Sequence, residues 1–191
     1  MKQPFNSAKT KHIALPFTKK DIRELKSGDS VLLSGTVLTA RDASHKRMAD
    51  TLTKGGRLPM DLNGQVIYYM GPSPAQPGKI IGSAGPTTSS RMDKYTGPLL
   101  DQGLICMIGK GKRSQSIQAK MLKKKAIYLA VVGGAGALIS RTIKTARVIA
   151  YADLGAEAIF QLEIENFPAV VINDIYGADL YEQGKAAYRT I

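Results

Sequence analysis

The run Ala126-Ile127-Tyr128-Leu129-Ala130-Val131-Val132 carries no charge and no polar–apolar alternation. A strand of this kind has no face to offer to water, so it belongs inside a sheet that is covered on both sides. The longer apolar stretch, Ala126 to Ile139, contains three glycines. It falls short of the roughly 20 apolar residues that cross a bilayer as a helix, so no membrane span is expected. Leu104 to Ile108 repeats the apolar pattern. A covered sheet of this sort needs helices, and the remaining segments supply them.

Residues 1–17, with Pro4 and Pro16, read as an irregular N-terminal arm, and residues 18–191 as one domain. Thr18 with Asp21 has the form of a helix cap with an acidic third residue, opening a short helix through Lys26 that Ser27-Gly28-Asp29 stops. Ser30 to Thr39 is rich in Val, Leu and Thr and predicts a strand. Asp42 is placed to cap a helix to about Lys54, which Gly55-Gly56 ends. Val66 to Met70 predicts the next strand, and the Pro/Gly stretch from Gly71 to Gly78 an irregular loop. Arg91 to Tyr95 predicts a helical turn, with Pro98 at the first position of a second short helix through Gln102. Ser114 to Lys124 has helical spacing, with Ile117, Met121 and Leu122 on one side and lysines elsewhere. Helix resumes near Ala135 to Lys144. Arg147–Tyr151, Ala158–Ile164 and Ala169–Ile172 predict three later strands, and Ala178–Tyr188 a closing helix. Strands and helices mix without strict alternation, which predicts a single compact α/β domain with a mixed sheet.

The 191 residues carry a net charge of +12. Such a charge suits nucleic acid, an anionic small substrate or an acidic partner. Only 6% of the residues are aromatic and none is tryptophan. The basic clusters therefore lack the stacking residues of single-strand binders, and no zinc-finger or RNP-type pattern is present. The one cysteine, Cys106, excludes an internal disulfide and a self-sufficient iron–sulfur or Cys-rich zinc site. Its apolar neighbours make it a buried small hydrophobe. The N-terminus has no apolar signal region, and a cytoplasmic location is the expectation.

Chemistry concentrates in three clusters. From Ser83 to Ser90 every residue is small, turn-forming or hydroxylic, and Arg91 follows. Backbone N–H groups, hydroxyls and a guanidinium on one surface are what a carboxylate or phosphate needs. Thr87 and Thr88 follow a Gly-Pro turn; the alternative to ligand contact is a local turn or a helix cap. Arg41, in Thr39-Ala40-Arg41-Asp42-Ala43-Ser44-His45, sits at a strand end, a common address for ligand contacts in α/β folds. Its alternative is a surface ion pair. His45, on the helix after Arg41, is read as a helix-surface or supporting residue, with an acid/base group the alternative. In the third cluster, Gly109-Lys110-Gly111-Lys112-Arg113, Lys110 sits between two glycines after a strand with no bulky neighbour to bury it; its alternative is a solvated loop lysine. Lys120, Lys123, Lys124 and Lys125 read as a solvated helix face. Gly133-Gly134-Ala135-Gly136 with Asp153 is similar to a dinucleotide loop, but Ile139 stands where the third glycine belongs.

In order, Leu25-Lys26-Ser27-Gly28-Asp29, Ser34-Gly35-Thr36, Ala40-Arg41-Asp42-x-x-His45, Gly71-Pro72, Gly85-Pro86-Thr87-Thr88-Ser89-x-Arg91-Met92-Asp93, Gly109-Lys110-Gly111 and Gly133-Gly134-Ala135-Gly136-Ala137-Leu138 form a specific series. It resembles the C-terminal domain of the class I, iron–sulfur-dependent fumarases, which in two-chain versions is the separate β subunit. The β subunit of L-tartrate dehydratase is similar too. The likeness runs from about residue 13 to 185.

The resemblance implies a swivelling β/β/α fold and a [4Fe-4S] cluster whose cysteines belong to a partner α subunit, leaving this chain with no metal ligands. It implies a heteromeric hydro-lyase acting on a C4 dicarboxylate, with fumarate and L-malate the first expectation and tartrate the alternative. In such enzymes an unligated iron acts as a Lewis acid while a protein base removes a proton. By motif position Thr87 is the candidate base, activated by an acidic residue of the partner. Arg41, Thr88, Arg91 and Lys110 hold the substrate, with His45, Asp42 and Lys112 as supporting residues and Lys112 the substitute for Lys110. A basic nucleic-acid-binding module is a remote alternative.

Overall fold

The computed structural model describes residues 10–189. Four strands run parallel to their neighbours: β2 (Ser30–Thr39), β3 (Val66–Tyr68), β4 (Cys106–Gly109) and β5 (Ile127–Ala130). β7 (Ile159–Asn173) then pairs antiparallel with both β5 and β2, so these five strands close on themselves. Two strands extend the ring, β1 (Lys11–Ala14) beside β2 and β6 (Ile143–Ala150) beside β7. The fold is a single α/β domain with a mixed sheet.

Strand register explains the core. Val66, Cys106 and Ile127 lie side by side, as do Ile67, Met107 and Tyr128, and then Tyr68, Ile108 and Leu129. Because successive side chains alternate faces, the first and third rows join Val31, Leu33, Leu162 and Phe167 inside the ring, where the Tyr68 and Phe167 rings meet edge to face at 5.1 Å. The middle row faces outward onto three helices, α2 (Asp42–Thr53), α3 (Asp93–Asp101) and α4 (Gln115–Lys124), through Met48, Leu99, Leu100, Ile117 and Met121. The strands are thus covered on both faces, as their unbroken apolar character requires.

The short helix α1 (Lys19–Glu24) starts with a reciprocal cap between Thr18 and Asp21. The expected irregular arm differs in part: Lys11–Ala14 is a strand, and residues 1–9 lie outside the described residues. The two strands expected at Ala158–Ile164 and Ala169–Ile172 are one. Between them Asn166 adopts a left-handed φ of 52° and its N–H turns to Ser34 Oγ at 3.0 Å, so a bulge carries the strand past the polar break. Pro98 lies inside α3 and does not open a second helix. The carbonyl it leaves without an N–H partner belongs to exposed Lys94, where a proline is least disruptive. The helix expected at Ala135–Lys144 shortens to Gly136–Ser140 because β6 already begins at Ile143.

Candidate functional site

The carboxyl ends of β2, β3, β4 and β5 open on one rim, and every sequence-predicted cluster reaches it. Parallel sheets place ligand-contacting residues at this edge because the chain leaves each strand there in a loop that packing does not constrain.

The loop after β3 returns to the rim at Thr87. Thr87 N–H donates to the Tyr69 carbonyl at 2.7 Å, Lys110 N–H donates to the Thr87 carbonyl at 3.2 Å, and Ser89 N–H donates to the Lys110 carbonyl at 2.9 Å. Thr88 and Lys110 thereby pair like strand residues. Such close passage requires Gly109: a Cβ there would stand 2.1 Å from Ser89 Oγ. Ser89 Oγ is itself held at 2.8 Å by the buried Tyr128 hydroxyl. Neither threonine caps the following Ser89–Met92 turn with its side chain. Their backbones are tied down, while among the described residues no hydrogen bond engages either hydroxyl. Lys110 makes no ion pair among the described residues, and its side chain lies along Gly133.

Arg41 occupies the cap position of α2, a correction to the expectation that Asp42 caps it; the Arg41 N–H donates to Ser44 Oγ at 2.9 Å. Asp42, freed from capping, sits between the two arginines. Its Oδ2 accepts from Arg91 Nη2 at 2.9 Å and lies 3.4 Å from Arg41 Nε. Burial raises the Asp42 pKa, but the Arg91 charge leads a group of opposing effects that hold it below the usual carboxylate value. Arg41 Nε is also 3.4 Å from Glu157 Oε1, and Glu157 in turn accepts from Ala43 N–H at 2.6 Å. Gly71 leaves room for this arginine, since a Cβ there would stand 2.8 Å from Arg41 Cδ.

His45 is not on the helix surface. It is fully buried beneath Arg41, donates from Nδ1 to the Arg41 carbonyl at 3.1 Å, and meets the Tyr69 ring edge-on at 5.0 Å. Burial drives its pKa down to about 3, so the ring is neutral. Lys112 is engaged elsewhere, with Glu182 of the closing helix (Leu180–Tyr188), although it lines a groove with Asp42 and Arg91. The glycines at 133–136 serve close packing: a Cβ on Gly136 would stand 2.9 Å from Gly85 N. Asp153 is taken by Arg47 in a two-pronged pair at 2.8 and 2.7 Å. Neither arrangement supports the dinucleotide reading.

Glu157, Tyr69 and Arg113 were not among the sequence candidates. Glu157 lies in a turn 114 residues from its partner at Ala43 and carries no local signal. Arg113 closes the Gly-Lys-Gly-Lys-Arg cluster, and its burial was the part the sequence did not reveal.

The fold and rim define a class: an α/β domain that presents cations and hydroxyls at the carboxyl ends of parallel strands. Residues 2–184 match the family described as Fumarase C-terminus, and the chain belongs to that family. It is 37% identical over 153 residues to "Fumarate hydratase class I, aerobic" of Salmonella typhimurium, covering 79% of this chain and 26% of that protein. The same identity and length relate it to "Fumarate hydratase 1, mitochondrial" of Leishmania major, covering 28% of that protein. It is 35% identical over 172 residues to "Putative L(+)-tartrate dehydratase subunit beta" of Methanocaldococcus jannaschii, covering 87% of this chain and 88% of that protein. The chain thus spans just over a quarter of the two fumarate hydratases and nearly the whole of the β subunit.

Proposed function

We propose that this chain is the β subunit of a [4Fe-4S]-dependent hydro-lyase that interconverts fumarate and L-malate in the cytoplasm. The observation that carries the reading is that Asp42 joins Arg41 to Arg91 while Thr88 pairs with Lys110 beside the end of β4, in a member of the fumarase C-terminus family. A nucleic-acid surface spreads its cations along an open face for phosphates, whereas here one carboxylate draws Arg41 and Arg91 together.

In this reading Arg41 and Arg91 hold substrate carboxylates with planar forks, and Asp42 keeps both guanidinium groups aimed at the rim before substrate arrives. Lys110 adds a third cation and the Thr88 hydroxyl a hydrogen bond. Thr87 supplies the base. A threonine hydroxyl is a poor base unaided, so this role needs an acidic residue from the partner.

The cluster does not fit this chain's own residues. Cys106 is fully buried in the ring, burial pushes its thiol pKa up, and among the described residues no group of three His, Cys, Asp or Glu side chains is placed to hold a metal. The reading therefore assigns the cluster to an α subunit with three cysteines.

The purified chain alone is expected to show essentially no hydratase activity, and adding a cluster-loaded α subunit is expected to restore it. Robust activity of the isolated chain overturns the reading. An L-tartrate dehydratase is the second reading, favoured by the name of the relative whose length matches. Turnover of L-malate against L-tartrate by the reconstituted pair separates the two.

A further inference from the structure

Below the rim lies a charge that the reading above does not use. The Arg113 side chain is fully buried; both terminal nitrogens donate hydrogen bonds, and Nε faces a carboxylate as an ion pair without hydrogen-bond geometry. Nε lies 2.7 Å from Asp93 Oδ1, Nη1 donates to the Tyr69 hydroxyl at 2.9 Å with Met107 Sδ at 3.7 Å, and Nη2 donates to Thr96 Oγ1 at 3.0 Å. Its plane lies near two rings, with Cζ 5.2 Å from the centre of Tyr69 and 5.4 Å from that of Tyr128.

The tyrosine contacts lead back to the Thr87–Arg91 segment, and the Thr96 and Asp93 contacts to the two residues that follow it. Tyr69 accepts the Thr87 N–H at its carbonyl. Tyr128 holds Ser89 Oγ. Thr96 donates from Oγ1 to the Met92 carbonyl at 2.8 Å. Asp93 is the second residue after Arg91, and its other oxygen accepts the Ser114 N–H at 2.6 Å. On the Arg41 side, the Tyr69 ring also packs against His45, which holds the Arg41 carbonyl.

A buried ion pair is weak as a device for stability alone, because apolar residues of similar volume often serve as well or better. What a guanidinium fork provides and an apolar side chain does not is several fixed directions at once. We propose that Arg113 is a positioning residue: it sets the placement of the Thr87–Arg91 segment, and so the geometry with which the rim meets a dicarboxylate. The ligand half of this statement rests on the proposed function; the placement half does not.

The test uses the full chain. Arg113→Met alone strands a buried Asp93 carboxylate and risks unfolding, so the informative variants are Tyr69→Phe, which removes one hydroxyl, and the double variant Asp93→Asn/Arg113→Met. Two-dimensional amide NMR is expected to show β3, β4 and β5 in their wild-type positions and the Thr87–Arg91 amides displaced, with faster hydrogen exchange in that segment. L-Malate binding to the pair reconstituted with a cluster-loaded α subunit, followed by calorimetry, is expected to weaken about threefold for Tyr69→Phe and tenfold or more for the double variant. Arg113→Lys, which keeps the charge but not the fork, is expected to recover the unfolding midpoint without recovering the affinity.

Thr87–Arg91 amides unmoved in both informative variants overturn the proposal, as does full recovery of affinity in Arg113→Lys. A wild-type pair that does not bind L-malate sinks the proposed function instead, while the NMR result still decides the role of Arg113.

Discussion

Arg91 Nη2 meets Asp42 Oδ2 at 2.9 Å, joining a turn after the Thr87-Thr88 loop to the first residue of α2 across 49 positions of sequence. The same oxygen lies near Arg41 Nε, so one carboxylate orients both guanidinium groups. Arg91 is half exposed, and exposed pairs contribute little to stability, about 0–1 kcal/mol. The pair matters for aim more than for folding.

Arg41→Lys or Arg91→Lys, assayed in the reconstituted pair, is therefore expected to lower kcat/KM at least roughly tenfold, about 1.4 kcal/mol of transition-state stabilisation. An ammonium keeps the charge and loses the fork. Lys123→Ala, on the exposed side of α4, leaves kcat/KM nearly unchanged. Two silent arginine variants with normal assembly and cluster content place the substrate elsewhere.

The two lysines of the glycine turn separate in the same assay. Lys110 has no ion-pair partner among the described residues, whereas Lys112 is held by Glu182. Lys110→Ala is expected to lower kcat/KM tenfold or more, and Lys112→Ala less than threefold. The reverse order assigns the contact to Lys112.

His45 makes stability depend on pH in a defined direction. Its pKa falls from 6.5 to about 3 on folding, so between these values the unfolded chain binds a proton that the folded chain refuses. Stability is then lost as pH falls, by up to about 1.4 kcal/mol per unit from this group. His45→Asn removes the titration, so denaturant midpoints at pH 7.5, 6.0 and 5.0 should show wild type losing stability faster than the variant. Parallel curves over that range contradict a neutral buried His45.

Gly109 is tested by adding one methyl. Its Cβ would meet Ser89 Oγ at 2.1 Å and the Thr87 carbonyl oxygen at 3.3 Å. Gly109→Ala is expected to destabilise by about 1–3 kcal/mol, lowering Tm by roughly 2–12 °C. Gly184→Ala is the control: it lies in the closing helix with nothing within 4 Å of the added Cβ, and should be neutral or stabilising. Equal Tm values for the two variants contradict the close passage of the loop over β4.

Cys106 should be silent toward a thiol reagent such as DTNB until denaturant is added, because the thiolate is both inaccessible and disfavoured by burial. Rapid labelling of the native chain refutes its place in the ring.

Local chemistry was enough to read much of this molecule. Val, Leu and Thr from Ser30 to Thr39 marked β2 to the residue, and Thr18 with Asp21 marked a cap that forms as expected. The small and hydroxylic residues before Arg91 marked a loop at a strand edge. Each of these signals acts within a few residues, through φ/ψ preference, side-chain alternation or a cap. What the sequence left undecided depends on which distant groups meet once β7 closes the ring onto β2. The burial of His45, the hold of Glu157 on Arg41 and the capture of Lys112 by Glu182 are meetings of this kind. So is the use of Asp42 to join two arginines in place of capping a helix. Periodicity sets which face a side chain takes, but only the closed sheet sets its neighbour, because that choice is made by packing and desolvation between residues 24 to 116 positions apart in sequence.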